Sequence, residues 1–288
     1  MKRVHLVPMR RPLSGFTLVE LVVAITVGAI VVGMSVALMS TPVDAYMAQS
    51  RRAELVQDAD RLSRWLLQDT QEDVLPNSVR ILTSANTRVL QLIKTSGLAF
   101  YAPGSSTPQE LDFSPAGDSL FDAYGRFPNG VQAGWRLSIN NPGTGLADAY
   151  LLNSSTQAVL AGVNNNADKV QLNPAFWFRS GSSAWNRVYV IREPVTYICN
   201  LGTGTLRRFN NHALAASIPS SEADAQLNSA GTLARTLASG VTACTISCAS
   251  FFNGVCQRSV KFDITVGRGT APLESIRVFQ EMRVDNNP

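Results

Sequence analysis

Arg10-Arg11-Pro12-Leu13-Ser14-Gly15-Phe16-Thr17-Leu18-Val19-Glu20 leads into an apolar run with no charged residue from Leu21 through Val43. Phe16 to Met39 is 24 residues, or about 36 Å of helix, enough to cross a bilayer. The basic residues precede the run, so the leader stays cytoplasmic and the chain beyond about Ser40 faces outwards. A cleaved secretory signal would place its small residue after the apolar core, whereas Gly15 stands before it. An ordinary anchor leaves Glu20 unexplained, because a carboxylate in the bilayer interior costs on the order of 3 kcal/mol. Cleavage after Gly15 would create an amino group on Phe16, four residues from Glu20 and on the same helix face. Glu20 then has two candidate partners: its own amino group together with the positive end of its helix, or the amino group of a neighbouring subunit.

Basic leader, Gly15, Phe16 and Glu20 in this register resemble the type IV prepilins. The resemblance implies Gly15 as the cleavage-site residue, Phe16 as the N-methylated new terminus and Glu20 as the carboxylate that sets subunit register. It also implies a separate prepilin peptidase/methyltransferase, other minor and major pilins as partners, and contact with inner-membrane lipid and the pilus assembly platform. The expected fold is α+β and pilin-like, a long amino-terminal helix on a mostly antiparallel β-sheet head with long loops. The expected divisions are a leader at 1–15, a transmembrane and assembly helix at 16–40, an amphipathic helix at 41–76 and a periplasmic head at 77–288.

Composition is ordinary for a folded protein, with 45% hydrophobic and 16% charged residues in 288. The formal charge of +4 is carried by the leader. Lys2, Arg3, Arg10 and Arg11 all precede Phe16, so a chain starting there keeps 21 of its 25 basic residues, matching its 21 acidic ones. Overall charge therefore gives no reason to expect a nucleic-acid partner. Cys199, Cys244, Cys248 and Cys256 permit two disulfides and suit an oxidising compartment; their spacing is not that of a structural zinc site.

Thr41-Pro42 can cap a new helix or merely interrupt a continuous one. From Ala45 to about Val74, Leu55, Ala59, Leu62 and Leu66 recur at spacings of 4, 3 and 4, which makes an amphipathic helix with one packed side. Pro76 ends it. Strand signals follow at Val79 to Thr83, Arg88 to Ile93, Trp135 to Ile139, Arg187 to Ile191, Val195 to Cys199, Val241 to Cys248, Ser259 to Val266 and Ser275 to Val284. Val260, Phe262, Ile264 and Val266 alternate with Lys261, Asp263 and Thr265, giving one buried face, and Asn253-Gly254 turns this strand back on Val241 to Cys248. Asn140 to Gly145, Ser154 to Asp168 and Ser217 to Gly231 read as loops.

Along these strands the chain also resembles the O-type minor pilins of the mannose-sensitive haemagglutinin (MSHA) pilus system. The residues that carry this are Trp135 to Asn141, Ala149-Tyr150, Arg187 to Ile191, Pro194 to Cys199, Thr205 to Arg208, Leu237 to Cys244 and Val278 to Pro288. That resemblance implies a Cys199–Cys244 disulfide and a role in pilus assembly or at the tip. Cys248 and Cys256, which bracket the Asn253-Gly254 turn, form the second pair by proximity.

No enzyme and no cofactor is expected. His5 and His212 are the two histidines, and His5 lies in the leader, so a multi-histidine metal site is out of reach. No Gly-x-Ser-x-Gly elbow accompanies His212, which reads as a surface loop residue. Gly202-Thr203-Gly204 reads as a hairpin turn rather than a dinucleotide loop. Asn164 to Asp168 lacks the acidic spacing of an EF-hand and reads as a solvated loop, and Phe176-Trp177-Phe178 reads as core. Three alternatives to the minor pilin stand: a J-type pseudopilin of type II secretion, an adhesin or ligand-binding head on the same helix, and a membrane-anchored periplasmic enzyme.

Overall fold

The computed structural model describes residues 15–71, 74–107, 110–125, 133–151, 154–164, 169–252, 254–268 and 274–283. The expected leader at 1–15, apart from Gly15, lies outside them, as do His5 and Asn253. The chain divides into two compact units, Met1–Arg52 and Ala53–Pro288.

One helix, α1, runs over Leu18–Gln71 with Pro42 inside it. Pro42 removes one backbone donor but does not break the helix. Within the first unit its apolar side chains are uncovered, from Leu18 at 78% and Ile25 at 62% to Leu38 at 75% exposed. The stretch has a mean hydropathy of 2.6 and none of it is buried. So large an apolar surface calls for lipid or other protein around it, and the helix fits a membrane anchor.

In the second unit Leu55, Ala59, Leu62 and Leu66 of α1 are buried at 3%, 9%, 0% and 0% exposure. They share a core with Leu90, Leu92, Val195, Tyr197, Phe262 and Ile264. Each leucine held there contributes roughly 1.5–3 kcal/mol.

The strands are β1 (Arg80–Thr83), β2 (Thr87–Tyr101), β3 (Asp118–Tyr124), β4 (Arg136–Ile139), β5 (Gln157–Asn164), β6 (Lys169–Phe176), β7 (Arg187–Asn200), β8 (Thr205–Asn210), β9 (Leu233–Ser239), β10 (Val241–Phe252), β11 (Val255–Arg268) and β12 (Glu274–Arg283). The larger sheet runs β1-β2-β3-β6-β5-β4-β7-β8-β9, and β2 also pairs with β7. That extra pairing closes β2, β3, β6, β5, β4 and β7 into a small barrel, filled by Tyr101, Phe121, Leu137, Leu160, Phe178 and Val190 among others. The other halves of β2 and β7, with β1, β8 and β9, form an open sheet that faces α1 through Leu90, Leu92, Val195 and Tyr197. The smaller sheet, β10-β11-β12, contributes Phe262 and Ile264 to the same core. All the strand pairings described are antiparallel, so the protein is α+β with a long helix and a mostly antiparallel head.

Three expectations are corrected. Arg187 to Ile191 and Val195 to Cys199 are one strand, β7, with Pro194 opposite Ile93. The missing proline donor costs the β2–β7 ladder nothing, because Ile93 opposite it donates to Ser78 Oγ and accepts from Leu75 N–H on its other edge. Just beyond, the register shifts and leaves Arg192 as an extra bulge residue between Glu193 and Ile191. Ser154 to Asp168 is not all loop, since Gln157–Asn164 is β5. Its Ala158 and Leu160 are buried in the barrel, whose narrow interior suits the small side chains that weaken a strand signal. Beyond Asn164 that loop is not described.

The third is His212, which is buried at 4% exposure instead of lying in solvent. Its Nδ1 donates to the Ala213 carbonyl at 3.0 Å, and Nε2 shares a 2.9 Å hydrogen bond with the Thr196 hydroxyl, so both ring nitrogens are satisfied within the head. Burial lowers its pKa, against the opposing pull of the Ala213 carbonyl and Glu193.

The turn at Leu201 to Gly204 joins β7 to β8. Phe178 is fully buried and Phe176 packs on it with ring centroids 4.8 Å apart, while the Trp177 indole donates to the Phe113 carbonyl at 2.9 Å. Between β9 and β10 the chain changes sheets at Gly240, whose φ of 77° and close approach to the Gly267 carbonyl leave no room for a side chain.

Candidate functional site

α1 begins with a reciprocal cap. The Thr17 hydroxyl oxygen accepts from the Glu20 backbone N–H at 3.2 Å, and a Glu20 carboxylate oxygen accepts from the Thr17 N–H at 3.3 Å. The same oxygen accepts from the Thr17 hydroxyl at 3.2 Å, and the first helical bond joins Leu21 N–H to the Thr17 carbonyl at 3.1 Å. This is a capping box: two of the helix's orphan donors are satisfied and an anion sits at its positive end. Thr17 was not singled out from the sequence, although its Thr-x-x-Glu spacing with Glu20 is the signal that finds it.

Gly15 and Phe16 lie outside the helix and are exposed, Phe16 at 79%. Glu20 is exposed as well. Gly15 offers open space around its Cα, so the bond between Gly15 and Phe16 stands clear of packed structure.

In the second unit the structure gathers polar residues that no motif marked. Asp69 of α1 is 2% exposed. It accepts from Arg208 Nε at 2.5 Å and Nη2 at 3.1 Å, from the Tyr197 hydroxyl at 2.6 Å and from Lys94 Nζ at 3.5 Å. Lys94 also donates to the Gln68 carbonyl at 3.2 Å, and the Arg208 guanidinium lies 4.8 Å from the centre of the Trp65 ring. Burial, and after it the Asp69 carboxylate, push the Tyr197 phenol well above its usual range. For Arg208, burial works to lower the pKa, but hydrogen bonds to Asp69 and its charge more than reverse this, so the guanidinium is held charged. Both Asp69 oxygens are taken up by Arg208, Tyr197 and Lys94, so the cluster reads as a structural clasp between α1 and strands β2, β7 and β8.

The four cysteines form two bridges. Cys199 of β7 joins Cys244 of β10 with Cα atoms 6.6 Å apart, and Cys248 joins Cys256 across the β10–β11 hairpin at 5.7 Å. Among the described residues no group of three or more His, Cys, Asp and Glu side chains is placed to hold a metal ion.

Helix, head and capped amino terminus define a pilin-like α+β protein with a candidate membrane anchor. Residues 10–36 match the family model described as the prokaryotic N-terminal methylation motif. That motif supports a prepilin-type protein, of the type IV pilin-like or pseudopilin kind, and points to a structural subunit rather than an enzyme. It also implies processing by a prepilin peptidase and assembly with other pilins. No curated protein and no solved structure matches the chain.

Proposed function

We propose that the protein is a minor pilin of an MSHA-like type IV pilus, stored in the inner membrane with its head in the periplasm and taken into the fibre at initiation or at the tip. In this reading 1–15 is removed as a leader, Phe16 becomes the methylated terminus, and 16–40 is the span that packs against lipid and then against other subunits. The division at 41–76 and the head at 77–288 follow as proposed. The observation that carries the reading is the methylation motif over residues 10–36 placed at the start of an uncovered apolar helix. Neutrality of the mature chain fits it, since subunits that repel one another pack poorly.

The capping box gives Glu20 a defined state before assembly. Its carboxylate is held by Thr17 N–H and hydroxyl, not by a buried partner. These are weak, exposed bonds, so a neighbouring subunit's amino group can displace them at little cost once lipid surrounds the pair.

Intact-mass measurement of protein from cells with an active prepilin peptidase is expected to show a chain beginning at methylated Phe16. A full-length chain there overturns the reading. Glu20→Ala is expected to leave membrane insertion intact, to cost about 1 kcal/mol of local helix capping, and to reduce incorporation into fibres severely. Normal incorporation of that variant would confine Glu20 to capping its own helix. A J-type pseudopilin of type II secretion is built alike, and uptake into a secretion fibre instead of a surface pilus separates the two.

A further inference from the structure

Beside the Asp69 clasp, entirely within the second unit, lies a cleft of about 420 Å³. Lys94, Arg192, Arg208 and Arg235 line it against Asp69 and Glu193, an excess of two positive charges. Lys94 and Arg208 share the single carboxylate of Asp69, which leaves one positive charge at the clasp, and Arg192 and Arg235 against Glu193 carry the other. Arg192 is the bulge residue of β7; its side chain is 57% exposed and its Nε is 3.8 Å from Glu193. Glu193 is itself engaged, accepting from Asn210 Nδ2 at 3.2 Å. The Arg235 guanidinium lies 5.0 Å from the centre of the Trp65 ring and has no carboxylate partner among the described residues.

The second observation concerns the backbone. Arg235 belongs to β9, the terminal strand of the larger sheet, and Leu233 to Thr236 are exposed along it. One edge of β9 pairs with β8; the other presents N–H and C=O groups with no strand beside them among the described residues. Natural sheets shield such an edge, and here it carries Leu233 at 62% exposure at the mouth of a cationic cleft.

We propose that the β9 edge and this cleft form a docking site for an extended acidic segment of another protein chain. The segment adds to β9 as a strand, its backbone pairing with the open edge. Its side chains alternate between faces, and one on the cleft side sets a carboxylate against Arg235, while Arg192, two strands away in β7, adds to the positive field of the cleft. A small anion would answer the charge but leave the edge unpaired, and an apolar strand would answer the edge but leave Arg235 without a carboxylate. The proposal does not depend on the amino-terminal reading.

The test uses the full chain in detergent micelles and a labelled, strand-length peptide alternating Glu and Val. Saturable binding is expected, weakened by salt and by roughly tenfold or more in Arg235→Glu. The same peptide with alternate backbone nitrogens methylated is expected not to bind, because it cannot complete the ladder. This comparison uses the unaltered protein and decides the matter even if Arg235→Glu fails to fold. Equal binding of the methylated peptide, or of a Lys-Val counterpart, overturns the proposal. So does competition by succinate at the peptide's own concentration, which would mark a small-anion site, and so does undiminished binding by a folded Arg235→Glu chain.

Discussion

Asp69→Ala is expected to lower the stability of the head by about 3–5 kcal/mol, because it strands a buried guanidinium and an ammonium without their shared carboxylate. Arg208 and Lys94 have side chains only 9% exposed, and Tyr197 loses the acceptor of its 2.6 Å bond. Thermal unfolding of a domain this size should show a fall of roughly 10 °C. The loss is one of isolation, not of intrinsic pair strength, and that distinction is measurable. Removing both charged partners along with Asp69, as in Asp69→Leu with Arg208→Met and Lys94→Met, should recover most of the stability. Lys94→Met alone should cost less than Asp69→Ala, since Asp69 keeps its two bonds to Arg208. An unchanged melting temperature for Asp69→Ala would refute the clasp.

The clasp shows where sequence reading stops. Asp69 lies 139 residues from Arg208 and 128 from Tyr197, and nothing in their local patterns distinguishes them from surface polar residues. They meet because Leu62 and Leu66 fix the roll of α1 on the open sheet, which turns the next helical turn, with Asp69, toward β7 and β8. The leucines were legible, since a helical stripe needs only its own period. What the stripe brings with it was not.

The same contrast runs through the sheets. β11 announced itself by strict alternation, and Val260, Phe262, Ile264 and Val266 are each at most 1% exposed. β2 has core on both sides, Leu90 and Leu92 on one and Val89 on the other, so apolar residues fall on both faces and strict alternation is absent, with Gln91 buried among them. The barrel strands β3 and β5 went unread because a small closed interior accepts Ala123 and Ala158, residues with little strand preference of their own, whereas β6 gives that interior Val170 and Leu172 and then runs into Asn173-Pro174, a pair that reads as a strand breaker. At the amino terminus the reverse holds: the methylation motif over residues 10–36 was legible because it is set by position along the chain, without long-range contacts. Thr17, within that stretch, shows that even a local motif is overlooked when a more conspicuous one overlaps it.

Losing the Cys199–Cys244 bridge is expected to cost the head about 4 kcal/mol, and losing Cys248–Cys256 about 2.5 kcal/mol, by the loop-closure entropy each removes from the unfolded chain. The first encloses a sequence separation of 45 residues and the second only 8. Topology widens the difference. Cys199 lies in β7 of the larger sheet and Cys244 in β10 of the smaller one, and both are buried in the core that α1 completes. The bridge therefore staples the two sheets at a distance from Gly240, where the chain itself crosses between them. Cys248–Cys256 instead ties together adjacent strands that ten register pairs already hold, so its constraint is largely local. Urea unfolding of Cys199→Ala/Cys244→Ala and Cys248→Ala/Cys256→Ala should give this order, with a lowered midpoint in both. Reduction of the unaltered protein by dithiothreitol should reproduce the sum without the small cavities that alanine leaves. The opposite order would mean that the hairpin, rather than the junction between the sheets, limits the stability of the head. That junction matters to the helix as well, because the two sheets share the face on which Leu55, Leu62 and Leu66 of α1 rest, and parting them would loosen this part of the helix from the head.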